Sequence, residues 1–119
     1  MTLAATAHDS SPLYRRVVAD ARNALSVSEI ADVTGVQPRS VQNWAAGSTR
    51  PEGQQRERLL ELNYVIEQLA DVYEAEGIEI WLHSPQRALG HRKPVDALRA
   101  GEFSDVLNLI DRLAGGPRR

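Results

Sequence analysis

The stretch Ser26–Gly47, SVSEIADVTGVQPRSVQNWAAG, leaves the chain few choices of shape. Ser26 followed by Glu29 makes a capping box, in which each side chain satisfies a free backbone N–H at a helix start. Ile30 and Ala31 then face inward, and Gly35 supplies the left-handed residue that ends this first helix. Pro38, with its fixed φ, suits the first position of a second helix. Val41 and Trp44, three apart, turn that helix's inner face toward the first, and Val36 plugs the turn between them. Ala31 lets the two helices cross closely, and Gly35 suits a turn too tight for a Cβ. The spacing predicts a helix-turn-helix whose second helix is the candidate DNA reader.

On the amino-terminal side, Ser11 and Pro12 open a helix in the order cap, then proline. Leu13, Val17, Ala21, Ala24 and Leu25 share one face of it, with Arg15, Arg16 and Arg22 largely outside. This helix is expected to pack across the back of the other two. Residues 1–10 are small and polar and read as a disordered tail, so the helix-turn-helix domain spans 11–52.

Gly47 ends the second helix, and a short loop containing Arg50 leads to the longest periodic run, expected as a helix from about 53 to 77. Leu59, Leu62, Ile66, Leu69 and Tyr73 alternate spacings of three and four, widened by Val65 and Val72. A stripe this regular belongs to a core or to a helix–helix seam, so the segment either links the halves of one chain or helps form a dimer. Gly77 is expected to break it. Beyond lies a segment from 78 to 119 punctuated by Pro and Gly. Ile78, Ile80 and Leu82 fit a short strand or a helical turn equally. Ser84–Pro85 is expected to cap a short helix that Gly90 ends, and Pro94 to start another that Gly101 ends. Phe103, Val106, Leu107, Ile110 and Leu113 mark a last amphipathic helix. The predicted class is all-α: a helix-turn-helix, a long linking helix and a cluster of short helices.

The composition narrows function. Cysteine is absent, which removes disulfides and thiolate metal sites, and no apolar run approaches the ~20 residues needed to span a bilayer. The start, MTLAATAHDSSP, lacks a basic region and a long apolar run, so no secretory signal is expected and the expected location is the cytoplasm. A net charge of −2 argues against nonspecific coating of nucleic acid. The charge is uneven: six acidic residues and no Lys or Arg lie between Glu61 and Glu79, whereas Ile80 onward carries seven basic residues against four acidic.

There is no GxSxG, HExxH or phosphate-binding glycine loop, and His8, His83 and His91 are not at helical ligand spacings. Neither catalysis, nor a metal, nor a cofactor is expected. On the second helix, Gln37, Arg39, Ser40, Gln42 and Asn43 point outward. Gln and Asn can contact adenine bidentately and Arg can contact guanine or phosphate, with Arg50 placed to reach the backbone. The region is near neutral, so a monomer should bind operator DNA weakly and a dimer on paired half-sites is the natural remedy. Farther on, Trp81, Leu82, His83, Arg87, His91, Arg92 and Lys93 gather residue types enriched at interface hot spots. From the residues alone, Trp81 and Leu82 as core and His91-Arg92-Lys93 as a solvated loop carries slightly more weight.

The segment IWLHSPQRALGHRKPVDALRAGEFSDVLNLIDRLAGG resembles the toxin-binding domain of the Xre/MbcA/ParS antitoxin family. The shared frame is a Trp near its start, Pro85 with Leu89, Pro94 before Leu98, Gly101, and an amphipathic last helix ending in Gly. The first half is similar to the family's Xre-like helix-turn-helix, including Trp44 to Gly47 followed by Arg50-Pro51. The resemblance implies a type II antitoxin that is dimeric, represses its own operon and occludes the active-site entrance of a RES-domain toxin that degrades NAD, itself binding no NAD. It also implies that Trp81, Arg87, His91, Arg92 and Lys93 lie in the toxin-binding region. By the same resemblance, Arg118 and Arg119 belong to the tail with which such antitoxins approach the toxin pocket. The competing expectation is a stand-alone dimeric helix-turn-helix repressor.

Overall fold

The structure, a computed structural model, describes residues 10–115, so His8, Arg118, Arg119 and almost all of the expected tail lie outside the described residues. The described chain is helical: α1 (Ser10–Arg22), α2 (Val27–Thr34), α3 (Pro38–Ala46), α4 (Gly53–Ala70), α5 (Ala75–Leu82), a 3₁₀ turn (Arg87–Leu89), α6 (Pro94–Arg99) and α7 (Phe103–Leu113).

Local chemistry sets the first elements. The Ser26 hydroxyl accepts from the Glu29 N–H at 3.0 Å, and Glu29 Oε1 accepts from the Ser26 N–H at 2.9 Å, closing the capping box of α2. Gly35 at φ +81° and Gly47 at φ +81° end α2 and α3 in the left-handed conformation, and Pro38 opens α3. Thr34 is buried, and its hydroxyl donates to the Ile30 carbonyl at 2.8 Å, so no polar group is left unsatisfied there.

α1, α2 and α3 pack on one another, and α4 lies against α1 and α2. Val18, Ile30, Val33, Val41, Leu59, Leu62, Val65 and Leu69 are fully buried between them. Side chains of this size contribute roughly 1.5–3 kcal/mol each on full burial. The same α4 also receives α7, and α6 packs on α2 and α7, so Leu82, Val95, Leu98, Val106 and Ile110 extend one continuous core into the carboxy-terminal half.

Five local expectations are corrected. On α1 Tyr14 and Val18 join Val17 and Ala21 inside, while Leu13, in the first turn, is half exposed. The long helix stops at Ala70, and Val72 and Tyr73, both half-buried, sit in the bend that follows. Gly77 breaks nothing: it lies inside α5, where a Cβ would come 3.0 Å from Tyr73 Cβ, so its smallness lets the bend close on the helix. Ile78, Trp81 and Leu82 are buried while Ile80 is exposed, the i, i+3, i+4 pattern of a helix. Ser84 does not cap the next element, since its hydroxyl donates back to the Ile80 carbonyl at 2.6 Å. The following turn is 3₁₀, ended by Gly90 at φ +68°. At the chain's end Leu113 is exposed, so the buried stripe of α7 is Phe103, Val106 and Ile110.

Candidate functional site

The residues singled out between 81 and 93 are divided by the fold into support and surface. Trp81 is 6% exposed and Leu89 is 5% exposed, so both side chains belong to the core, as the reading from the residues alone expects for Trp81. The turn itself is closed by backbone bonds: the Gln86 N–H donates to the Arg92 carbonyl at 3.0 Å, and the His91 N–H donates to the Gln86 carbonyl at 2.9 Å. His91 takes φ +69°, the one non-glycine residue described with a left-handed backbone. Such a conformation costs a residue with a Cβ on the order of 1–2 kcal/mol, which the surrounding bonds must offset.

Arg87, His91, Arg92 and Lys93, four of the five sequence candidates between 81 and 93, are all exposed along this closed turn. Arg92 Nη2 donates to Glu102 Oε1 at 2.6 Å, and Arg92 Nε donates to the Leu89 carbonyl at 3.0 Å. The hydrogen bond that Arg92 donates to Glu102 holds the guanidinium's pKa above its usual value, and the same bond holds the Glu102 carboxyl below the usual carboxylate range. Arg92 is therefore spoken for in fixing the turn to the start of α7. Arg87, His91 and Lys93 remain as a cationic and hydrogen-bonding set suited to an acidic or carbonyl-rich partner surface.

A second group sits on α3. Gln37, Arg39 and Gln42 are exposed, and Ser40 and Asn43 are half-buried. The Asn43 carbonyl accepts from the Ser48 N–H at 2.9 Å, tying the end of α3 to the loop that follows. Arg50 is exposed in that loop, beside Tyr14, Glu52, Gly53 and Arg56 around a groove of about 340 Å³, and the buried Pro51 anchors it. Arg15 from α1 packs over Gly47, where a Cβ would meet its Cδ at 2.8 Å. Several guanidinium groups thus gather near the α3 end that the sequence assigned to DNA.

The two halves meet along a polar seam that single-residue patterns in the sequence do not announce. His83 Nε2 lies 2.9 Å from Glu29 Oε2, joining α5's end to α2 across 54 residues. Arg99 Nε lies 3.3 Å from Asp32 Oδ2, a second tie between α6 and α2. Arg58 Nη1 donates to the Val33 carbonyl at 3.4 Å. Burial alone would raise the Glu29 carboxyl, but the Ser26 backbone bond, His83 and the Arg99 charge outweigh it and set the pKa below the usual value. For His83, burial works against the charged ring, and the Glu79 carbonyl and Glu29 carboxylate outweigh it, setting the pKa above the usual value.

A groove of about 610 Å³ between the end of α2 and the start of α4 is lined by Thr34, Gly35, Glu52, Gly53, Gln54, Gln55 and Arg58, with no His or Cys among them. Among the described residues no group of three His, Asp or Glu is placed to hold a metal ion, and no helix is long and apolar enough to cross a membrane. The described residues thus form a small all-helical protein with exposed polar groups on the turn of 86–93 and on α3, and a polar seam between its halves.

Residues 68–116 match the family described as the antitoxin Xre/MbcA/ParS C-terminal toxin-binding domain. Over 95 residues the chain is 43% identical to the mycobacterial cidal antitoxin MbcA of Mycobacterium bovis, covering 80% of this chain and 84% of that protein. The same figures hold for MbcA of Mycobacterium tuberculosis. A chain in the crystal structure of the M. tuberculosis MbcT–MbcA toxin–antitoxin complex superposes with a TM-score of 0.72 at 40% identity, over 88% of this chain and 96% of its own length. The chain belongs to the Xre/MbcA/ParS antitoxin family and is a homologue of MbcA.

Proposed function

We propose that the chain is the antitoxin of a type II toxin–antitoxin pair. In this reading it binds a RES-domain toxin that degrades NAD, covers the entrance to that toxin's active site, and represses its own operon through α2 and α3 acting as a helix-turn-helix. The supporting observation is the 40% identity, over 88% of the chain, to a chain crystallised in a toxin–antitoxin complex. The similarity runs through both halves, so it supports a protein built like MbcA throughout.

The contacts proposed for the toxin are Arg87, His91 and Lys93, carried by the closed turn, with Arg92 holding the turn in place and Trp81 beneath it. Arg118 and Arg119 complete the proposed set. Gln37, Arg39, Ser40, Gln42, Asn43 and Arg50 are the proposed DNA contacts, in which α3 enters the major groove and Arg50 meets the phosphates. A homodimer would supply the second α3 for a paired half-site, and exposed Leu60 and Tyr64, one turn apart on α4, are available to it. In this reading the unit of 11–52 regulates, the helix of 53–77 links, and 78–119 binds the toxin, all in the cytoplasm where NAD is consumed. The test is a pull-down of the RES-domain protein encoded beside this chain's gene. Retention of that protein, and survival of cells expressing it together with this chain, is expected. Failure of both overturns the reading.

A further inference from the structure

His83 occupies an unusual position between two helix ends. Its Nδ1 lies 2.8 Å from the Glu79 carbonyl in the last turn of α5, and its Nε2 lies 2.9 Å from Glu29 Oε2 in the first turn of α2. Both partners are acceptors and neither can donate. A neutral imidazole carries one N–H, so it satisfies one partner and turns a lone pair on the other. Only the imidazolium donates to both.

We propose that Glu29 and His83 form a proton-controlled latch. It closes the carboxy-terminal half onto α2 when His83 is imidazolium and loses one of its two bonds when His83 is neutral.

The arrangement around the pair favours the charged ring. The C-terminus of α5 presents the negative end of the helix dipole, where a cation is stabilised. The N-terminus of α2 presents the positive end, where the Glu29 carboxylate is stabilised while its Oε1 accepts from the Ser26 N–H. The result is a chain of alternating charge from α2's start, through Glu29 and His83, to α5's end. On the flank, Arg99 of α6 pairs with Asp32 of α2 at 3.3 Å and with Asp96 of its own helix at 2.9 Å. Arg99 also acts on Glu29, and Glu79 of α5 acts on His83, each favouring the charged form of the residue it faces. Imidazole is the side-chain type in this seam whose ordinary titration range lies near neutral pH. His83 is therefore the member of the seam that titrates near neutral pH.

The direction follows from the two shifts. His83, raised, contributes stability fully below the ordinary imidazole value and loses it as pH climbs through the raised value. Glu29, lowered, contributes above the ordinary carboxylate value and loses it only as pH falls through the lowered one. Between these limits the latch is complete. Because α5 leads directly into the cationic turn, the opening of the latch loosens the base of that turn relative to α2.

The experiment uses the full chain alone, without toxin or DNA, so its result is separate from the antitoxin reading. Thermal unfolding is followed from about pH 6 to about pH 8.5, the range in which imidazole titrates, for wild type and His83→Gln. Gln keeps a donor for Glu29 at a partly exposed position and does not titrate. The wild-type midpoint is expected to fall across this range, and the fall is expected to be largely absent in His83→Gln. The two proteins differ only at position 83, so contributions from all other groups are common to both and cancel. In parallel, an NMR titration of the His83 ring is expected to give a value above that of a free imidazole, dropping by about one unit, a tenfold loss of proton affinity, in Glu29→Gln. Parallel midpoint profiles for the two proteins, or a His83 value unmoved by Glu29→Gln, overturn the latch.

Discussion

Trp81 separates a supporting role from a contact role, and its replacement can be worked from the structure. The residue is 6% exposed, so its indole is inside the fold. A tryptophan of this kind buries roughly 150–250 Å², and at about 25 cal/mol per Å² its removal forfeits roughly 4–6 kcal/mol as an upper figure. Mutational series put large aromatic-to-alanine changes at about 3–5 kcal/mol. Small domains hold only about 5–15 kcal/mol in total, so Trp81→Ala should leave a marginal protein. For a chain of this size the melting midpoint should fall on the order of 10–20 °C. Trp81→Phe keeps most of the apolar volume and should lower the midpoint by much less while retaining the toxin. Circular dichroism melts paired with pull-downs at a temperature where each variant is folded make the comparison. An unchanged midpoint in Trp81→Ala would refute the buried assignment. Loss of toxin in a fully stable Trp81→Phe would show that the indole itself is a contact.

Two further outcomes follow from the geometry. Gly77→Ala places a Cβ 3.0 Å from Tyr73 Cβ, so despite a helix-propensity gain of up to about 1 kcal/mol the crowding should win and lower the melting midpoint; a raised midpoint would show that the Val72–Glu74 bend yields freely. Arg39→Ala with Gln42→Ala removes two exposed side chains of α3, so stability should change by less than about 0.5 kcal/mol. The double variant should lose operator binding in a gel-shift assay while still neutralising the toxin, and loss of neutralisation would favour the stand-alone repressor instead.

What the sequence made legible was what neighbouring residues decide among themselves. The capping box of Ser26 and Glu29, the left-handed Gly35 and Gly47, and Pro38 at the start of α3 act within a few positions, so their spacing suffices. The boundary between α4 and α5 was not legible, because Leu69, Val72 and Tyr73 continue the helical spacing through a bend that only tertiary packing imposes. Gly77 carries the signal of a breaker yet serves close packing, and the two uses look alike in one dimension. Leu13 and Leu113 were misplaced at helix ends, where a small rotation exchanges an inner for an outer position. The turn from Arg87 to Lys93 was legible as a cluster of residue types, but not the division into the exposed cations and the buried Trp81. The Glu29–His83 pair could not be read at all, since nothing in either residue's surroundings in sequence points across 54 positions.

The central claim is that this chain shields NAD from a RES-domain toxin through the cationic turn. The direct measurement is NAD concentration over time, with purified toxin mixed with an equal amount of the full chain or of Arg87→Glu with Lys93→Glu. Wild type should hold NAD near its starting level. The double variant, folded to the same melting midpoint, should bind at least roughly tenfold more weakly, about 1.4 kcal/mol, and let NAD fall. NAD disappearing at the toxin's own rate in the presence of the wild-type chain would contradict the account.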